Sequence, residues 1–341
     1  MDINKFINEI PKIELHAHLN GCLTEEALLK LSELMHETDS LCYKETCKDI
    51  KATSVTLSQC FEKFRIAHAL TSTKECLFKA TIFVIQDFAK DNVIYLELRT
   101  TPKKTENITK YQYLQCVLEA SSTIPQITVK LIASIDRAEG VQGAEESLSC
   151  IKKLREEFPS FIVGVDLSGN PHIGKFSDYK NILEKCQEEG LKLALHCGEV
   201  ANEKEIAEML EFGMDRLGHG TYIEAMLRAK GIPVECCLSS NIICQTVSSH
   251  EDHHFKQLYN LGHPVMICTD DTGVFDTTLS KELQLACKTH NLKKEDLFTL
   301  LKTAVNASFA DNFGVSSASL ILYWKKTISI LFLDKTPNRS L

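Results

Sequence analysis

Pro11-Lys12-Ile13-Glu14-Leu15-His16-Ala17-His18-Leu19-Asn20-Gly21 is the stretch on which the reading of this chain turns. An apolar-rich run leads into two histidines two residues apart. Side chains alternate along a β-strand, so His16 and His18 share a face. Neutral imidazole is a good zinc ligand, and two of them at one strand end supply half of a metal site. A lone His-x-His is read equally well as surface or satisfied core histidines. The decision rests on whether other strand ends supply the remaining ligands.

Outward from Ile13–His18, the chain alternates short apolar runs with longer stretches of helical period. Further strands are predicted at Val93–Arg99, Val129–Asp136, Ile162–Leu167, Leu191–His196, Arg216–His219, Val234–Ser239 and Val265–Thr269. Between the first two, Thr24–Met35 has apolar residues at 27, 28, 31, 34 and 35, a helical repeat with Thr24 as its N-cap. Leu57–Leu70, Lys74–Lys90, Tyr111–Ser121 and Ala144–Phe158 read as helices too, whereas Ser40–Ser54 is polar and irregular, an insertion or lid. Eight strand signals separated by helices point to a closed parallel (β/α)8 TIM barrel. The 341 residues suit one such domain over 1–312, with a divergent tail at 313–341. The tail's two apolar runs are too short to span a bilayer, which takes about 20 residues.

Bulk properties narrow the function. Hydrophobic residues make up 44% and charged residues 25%, as in a soluble globular protein with a sizeable core. A net charge of −8 speaks against general affinity for nucleic acid or anionic membrane, yet leaves room for a local basic pocket for one phosphate. The 14 cysteines are scattered without a Cys-x-x-Cys spacing or a disulfide framework, which implies a reducing compartment. Met1 leads into a polar, charged segment, so no signal peptide is expected and the cytosol is the expected location. The expected state is a monomer.

The polar residues cluster at the C-terminal ends of the predicted strands, where such barrels build active sites. His16, His18, His196 and Asp270 offer three imidazoles and a carboxylate, a donor set for a borderline cation such as Zn²⁺ with a position left for water. Such a metal lowers the pKa of its water towards neutrality. Glu199, three residues past His196, is placed as a general acid/base rather than a ligand. His219 and Asp271 flank the site, although Asp271 alone also reads as a helix N-cap. The residues by themselves describe a metal-assisted hydrolase of the amidohydrolase type.

His16-Ala17-His18-Leu19-Asn20-Gly21, Asp166-Leu167-Ser168-Gly169-Asn170, His196-Cys197-Gly198-Glu199-Val200, Gly218-His219-Gly220, Ser239-Ser240-Asn241 and Cys268-Thr269-Asp270-Asp271 occur in this order. That set resembles the adenosine deaminase family, and within it the adenosine-deaminase-like branch of N6-methyl-AMP deaminases, over residues 5 to 312. The resemblance implies a (β/α)8 barrel with one zinc ion held by His16, His18, His196 and Asp270. It implies hydrolytic removal of the purine 6-amino or 6-alkylamino group. Glu199 would protonate N1, His219 and Asp271 would position the attacking hydroxide, and Asp271 and His18 would also reach the substrate. The backbone at Gly169 would contact the purine, where the missing side chain permits close approach.

Substrate choice has a physical handle at Asn20. Adenosine deaminases generally carry an aspartate there, able to accept from a ribose 5′-hydroxyl. A carboxylate beside a 5′-phosphate is repelled, whereas a neutral amide can donate to it. Lys103, the hydroxyls of Thr100 and Thr101, and His68 are expected to complete a phosphate cradle. Thr100, Thr101, Pro102, Lys103 and Asp136 match nucleotide-contacting positions of the branch. The expected substrate is therefore a purine nucleoside monophosphate, N6-methyl-AMP going to IMP plus an alkylamine. Adenosine and a non-catalytic binding barrel are the alternatives. Ser239-Ser240-Asn241 is expected to support His219 or the aspartates, and His253-His254 to play a structural part.

Overall fold

A computed structural model describes residues 2–35, 57–222, 227 and 231–309. Strand β1 (Lys12–His18) is buried along nearly its whole length, as a strand covered on both faces must be. It pairs in parallel with β2 (Val93–Thr100). The sheet continues through β3 (Thr128–Asp136), β4 (Ile162–Ser168), β5 (Lys192–Cys197), β6 (Arg216–His219), β7 (Val234–Cys236) and β8 (Val265–Ile267) in chain order. Just past β8, Asp270 bridges back to Ala17 of β1 in parallel. Its N–H donates to the His16 carbonyl at 2.8 Å and its own carbonyl accepts from the His18 N–H at 3.0 Å. The sheet thus closes on itself, giving the parallel α/β barrel that the sequence predicts.

Helix α1 (Ile3–Glu9) precedes β1, and α2 (Glu25–Leu34), α3 (Leu57–Leu70), α4 (Lys74–Lys90), α5 (Lys110–Ser121), α6 (Gly140–Glu157), α7 (Phe176–Glu188) and α8 (Glu203–Phe212) fill the five connections from β1 to β6. Later come α9 (Leu238–Ile243), α10 (His254–Asn260), α11 (Thr272–Phe275), α12 (Leu279–His290) and α13 (Lys294–Ala307). Thr24 caps α2 as predicted, accepting from the Ala27 N–H. Thr109 and Gln112 form a reciprocal capping box on α5. Thr109→Ala is therefore expected to cost about 1 kcal/mol in denaturant unfolding.

The main core lies between the helices and the outer face of the sheet, with Leu98, Leu131, Val165 and Leu195 among its strand members. Phe309, just after α13, packs with Ile132, Val163 and Ala194. A Cβ on Gly164 would come within 2.7 Å of the Lys192 carbonyl and 3.1 Å of that ring, so only glycine fits between β5 and Phe309.

One local expectation needs correction. The seventh strand ends at Cys236, and Ser239-Ser240-Asn241 lies on helix α9. The alternation of Cys237 and Ser239 mimics a strand, but Leu238 and Ile242 stand four apart, the spacing of one helix face. Ser40–Ser54 and the tail at 313–341 lie outside the described residues.

Candidate active site

Four side chains from three places in the chain converge where β1 meets the end of β8. The ligating atoms of His16, His18, His196 and Asp270 all lie within 4.8 Å of one another. His16 Nε2 and His18 Nε2 stand 3.2 Å apart, and Asp270 Oδ1 is 3.4 and 3.3 Å from them. Asp270 reaches this position from a left-handed backbone, φ 63°. The Nδ1 of His16 is held by Glu235 Oε2 at 2.7 Å, and the Nδ1 of His196 by Asp166 Oδ1 at 2.9 Å. A carboxylate can only accept, so both Nδ1 atoms carry a proton, and in the neutral rings both Nε2 lone pairs face inward. Burial opposes charging of His196, but Asp166 outweighs it and pushes that ring up to about 9, so a cation bound there would displace a proton from Nε2. Burial pushes the His18 ring down to about 3, which favours its neutral, ligating form. Lone pairs facing one another across about 3 Å beside a carboxylate fit a divalent cation of borderline character.

Around this cluster stand the other expected groups. Glu199 follows β5 by way of Gly198, and its Oε1 lies 3.8 Å from His219 Nε2. Desolvation holds the Glu199 carboxyl above the ordinary glutamate range although 26% of the side chain reaches solvent. His219 Nε2 is also 3.9 Å from Asp270 Oδ2, whose position is fixed by the Ser240 hydroxyl at 2.7 Å. Asp271 occupies the N-cap position of α11 yet makes no cap bond, and its Oδ1 is buried with no partner among the described residues. Burial first, then the charge of Asp270, pushes the Asp271 carboxyl well above its usual range. Gly169 sits at φ 90°, a conformation that favours glycine, and a Cβ there would overlap Asp136 Oδ1. That oxygen accepts from the Ala138 N–H at 2.9 Å.

A second group of residues lies by the β2 end. Lys103 Nζ is 2.8 Å from His68 Nδ1 on α3. Burial, with Lys103 adding to it, brings the His68 ring down to about 4, leaving the lysine as the cation of the pair. Asn20 is 9% exposed, donating to Thr71 Oγ1 at 2.8 Å and accepting from Tyr113 Oη at 3.3 Å. Thr101 is half-buried and Pro102 buried. Thr100 is only 2% exposed, and its hydroxyl pairs at 2.8 Å with the same Tyr113 Oη that donates to Asn20.

Sequence reasoning missed the floor of the site. Glu97, Arg99, Asp166, Arg216 and Glu235 are all fully buried. Arg99 pairs with Glu235 and, at 3.2 Å, with Asp166. Arg216 pairs with Glu97 and, at 2.6 Å, with Glu235. Arg99 is therefore not a rim residue as its place in the sequence suggests, but a bridge between the carboxylates that hold His16 and His196. A signal was present, because a charge within a strand covered on both faces must find its partner inside.

The family model described as "Adenosine deaminase" matches residues 11–317. The Drosophila melanogaster adenosine deaminase-like protein is 46% identical over 316 residues, covering 90% of this chain and 94% of its own. The Homo sapiens N6-methyl-AMP deaminase is 38% identical over 328 residues, covering 90% and 91%. The crystal structure of Arabidopsis ADAL complexed with IMP superposes with a TM-score of 0.87 at 36% identity, covering 94% of this chain and 98% of that one. With the match running through every strand of the barrel, this chain belongs to the adenosine deaminase family of hydrolases.

Proposed function

We propose that the chain hydrolyses N6-methyl-AMP to IMP and methylamine. One observation carries this reading: the cation-competent cluster with Glu199 beside it and the Lys103–His68 pair lie at the same end of the barrel. The name N6-methyl-AMP deaminase carried by relatives, and the solved complexes of Arabidopsis ADAL with IMP and with GMP, support a purine monophosphate. His16, His18, His196 and Asp270 would hold one zinc ion, for which three nitrogens and one oxygen are a suitable set. When bound, the ion acidifies a water and so makes a nucleophile available near neutral pH.

The remaining steps belong to the chain's own groups. Glu199, whose carboxyl desolvation pushes above the ordinary glutamate range, passes its proton to purine N1, leaving C6 electron-poor. The water oxygen adds to C6 while His219 and Asp271 hold it in line. The Glu199 carboxylate left by the transfer to N1 takes the proton released as C6=O forms and returns it to N6, so the C6–N6 bond breaks and methylamine leaves neutral. The base lies against the backbone of Gly169. Lys103, with His68 and Asn20, receives the 5′-phosphate, where a lysine serves as a point charge. Twelve cysteines are free among the described residues, in keeping with a reducing cytosolic location. No helix among those residues is long and apolar enough to cross a membrane.

The test is amine release from N6-methyl-AMP, AMP and adenosine, each with and without a chelator. Chelator-sensitive turnover of N6-methyl-AMP with little on adenosine is expected; preference for adenosine would overturn the phosphate assignment. Lys103→Gln is expected to raise KM for N6-methyl-AMP by about tenfold or more, the worth of a hydrogen bond to a charged group, without changing residual nucleoside turnover. Steady-state kinetics on both substrates check it.

A further inference from the structure

Behind His219 lies a chain of hydrogen bonds whose direction can be read from its far end. The backbone N–H of Phe255, which can only donate, bonds to His253 Nδ1 at 3.1 Å. In the neutral ring that leaves the proton on His253 Nε2, which faces Asn241 Oδ1 at 3.1 Å. Burial first and then neighbouring histidines bring the His253 ring down to about 2, in keeping with a neutral ring. With its oxygen so engaged, Asn241 presents its Nδ2 to His219 Nδ1 at 3.4 Å and to Thr246 Oγ1 at 3.1 Å. An amide nitrogen can only donate, so His219 Nδ1 must accept. The His219 backbone is anchored as well, at φ 66°, by His254 Nε2 donating to its carbonyl at 2.7 Å.

We infer that Asn241 and His253 are positioning residues that fix His219 as the Nε2–H tautomer, so that His219 acts as a hydrogen-bond donor in the active site and not as the base that takes the water's proton. The Nε2–H faces the space between Glu199 Oε1 and Asp270 Oδ2. A donor there stabilises negative charge on the oxygen that adds to C6 and leaves proton traffic to Glu199. The effect on turnover rests on the deaminase reading above; the tautomer itself does not. Each link moves no proton, since every group keeps its own hydrogen and only the orientation is passed on.

The decisive measurement is ¹⁵N NMR of histidine-labelled protein, metal-loaded and without substrate. The His219 resonances, assigned by loss in His219→Gln, should show a protonated Nε2 and an unprotonated Nδ1. The reverse pattern overturns the inference whatever the substrate proves to be. Two variants supply a second readout. His253→Gln keeps an acceptor for Phe255 and a donor for Asn241, whereas His253→Leu keeps neither. His253→Leu should lower kcat by about tenfold or more, short of the roughly 10⁴ cost of outright tautomer reversal in a hydrolase triad, with KM and metal content held. His253→Gln should restore most of that loss. Equal loss in both variants, or none in either, would mean that His253 merely fills space. If neither variant folds, the NMR pattern of the unmodified protein decides alone.

Discussion

Glu199→Gln is expected to lower kcat for N6-methyl-AMP by about a thousandfold, within the range general acid–base groups contribute. The amide matches the carboxyl in shape and still hydrogen-bonds, but has no proton to give to N1. Metal binding should persist, because Glu199 is not one of the four converging donors. The pH profile supplies an independent check. Desolvation, the largest influence on Glu199, raises its pKa, so the protonated form needed by the reaction is present at lower pH and lost as pH rises through the raised value. The variant should lose that alkaline limb along with its rate. Near-normal turnover with metal bound would show that another group delivers the proton.

The second large effect is expected beneath the site. Glu235→Gln leaves Arg99 and Arg216 buried with one carboxylate fewer between them, and breaking such a pair costs about 3–5 kcal/mol of stability. The same substitution weakens the group that orients His16, so metal affinity should fall about 10–100-fold. Denaturant unfolding and competition with a chromophoric chelator measure the two separately. Burial opposes ionisation of Glu235, but Arg99 and Arg216 outweigh it and hold the carboxyl well below the usual glutamate range. A depressed carboxyl contributes stability above its unfolded value, near 4.5, which is lost as pH falls through the folded one. The acid destabilisation of the unmodified protein should accordingly be shallower in the variant. Unchanged stability and metal affinity would mean that His16 is oriented by the strand alone.

The barrel and the rim were readable in the sequence for the same reason. Strands covered on both faces are short apolar runs, and polar residues that end several of them share one end of the barrel. His16, His18, His196 and Asp270 meet as that logic requires. What the sequence hid depends on direction within the fold. Thr100 is adjacent to Thr101 in the chain but turns to Tyr113. Glu97 and Glu235 look like ordinary charges until both faces of their strands are known to be covered. Ser240 and Asn241 could be placed near the aspartates and His219, but not on a helix whose successive residues aim one at each.

The closure of the barrel through Ala17 and Asp270 has a consequence for how the protein is made. Two donors emerge from the ribosome within the first 18 residues, the third only at His196 and the fourth at Asp270. A nascent chain that stops short of residue 270 has neither the fourth donor nor the bridge that joins the last strand to the first. Pairings of such long sequence separation are the slow ones in folding. A cation held by these four donors would act as a clasp across the seam, and its loading would have to wait for completion of the whole barrel.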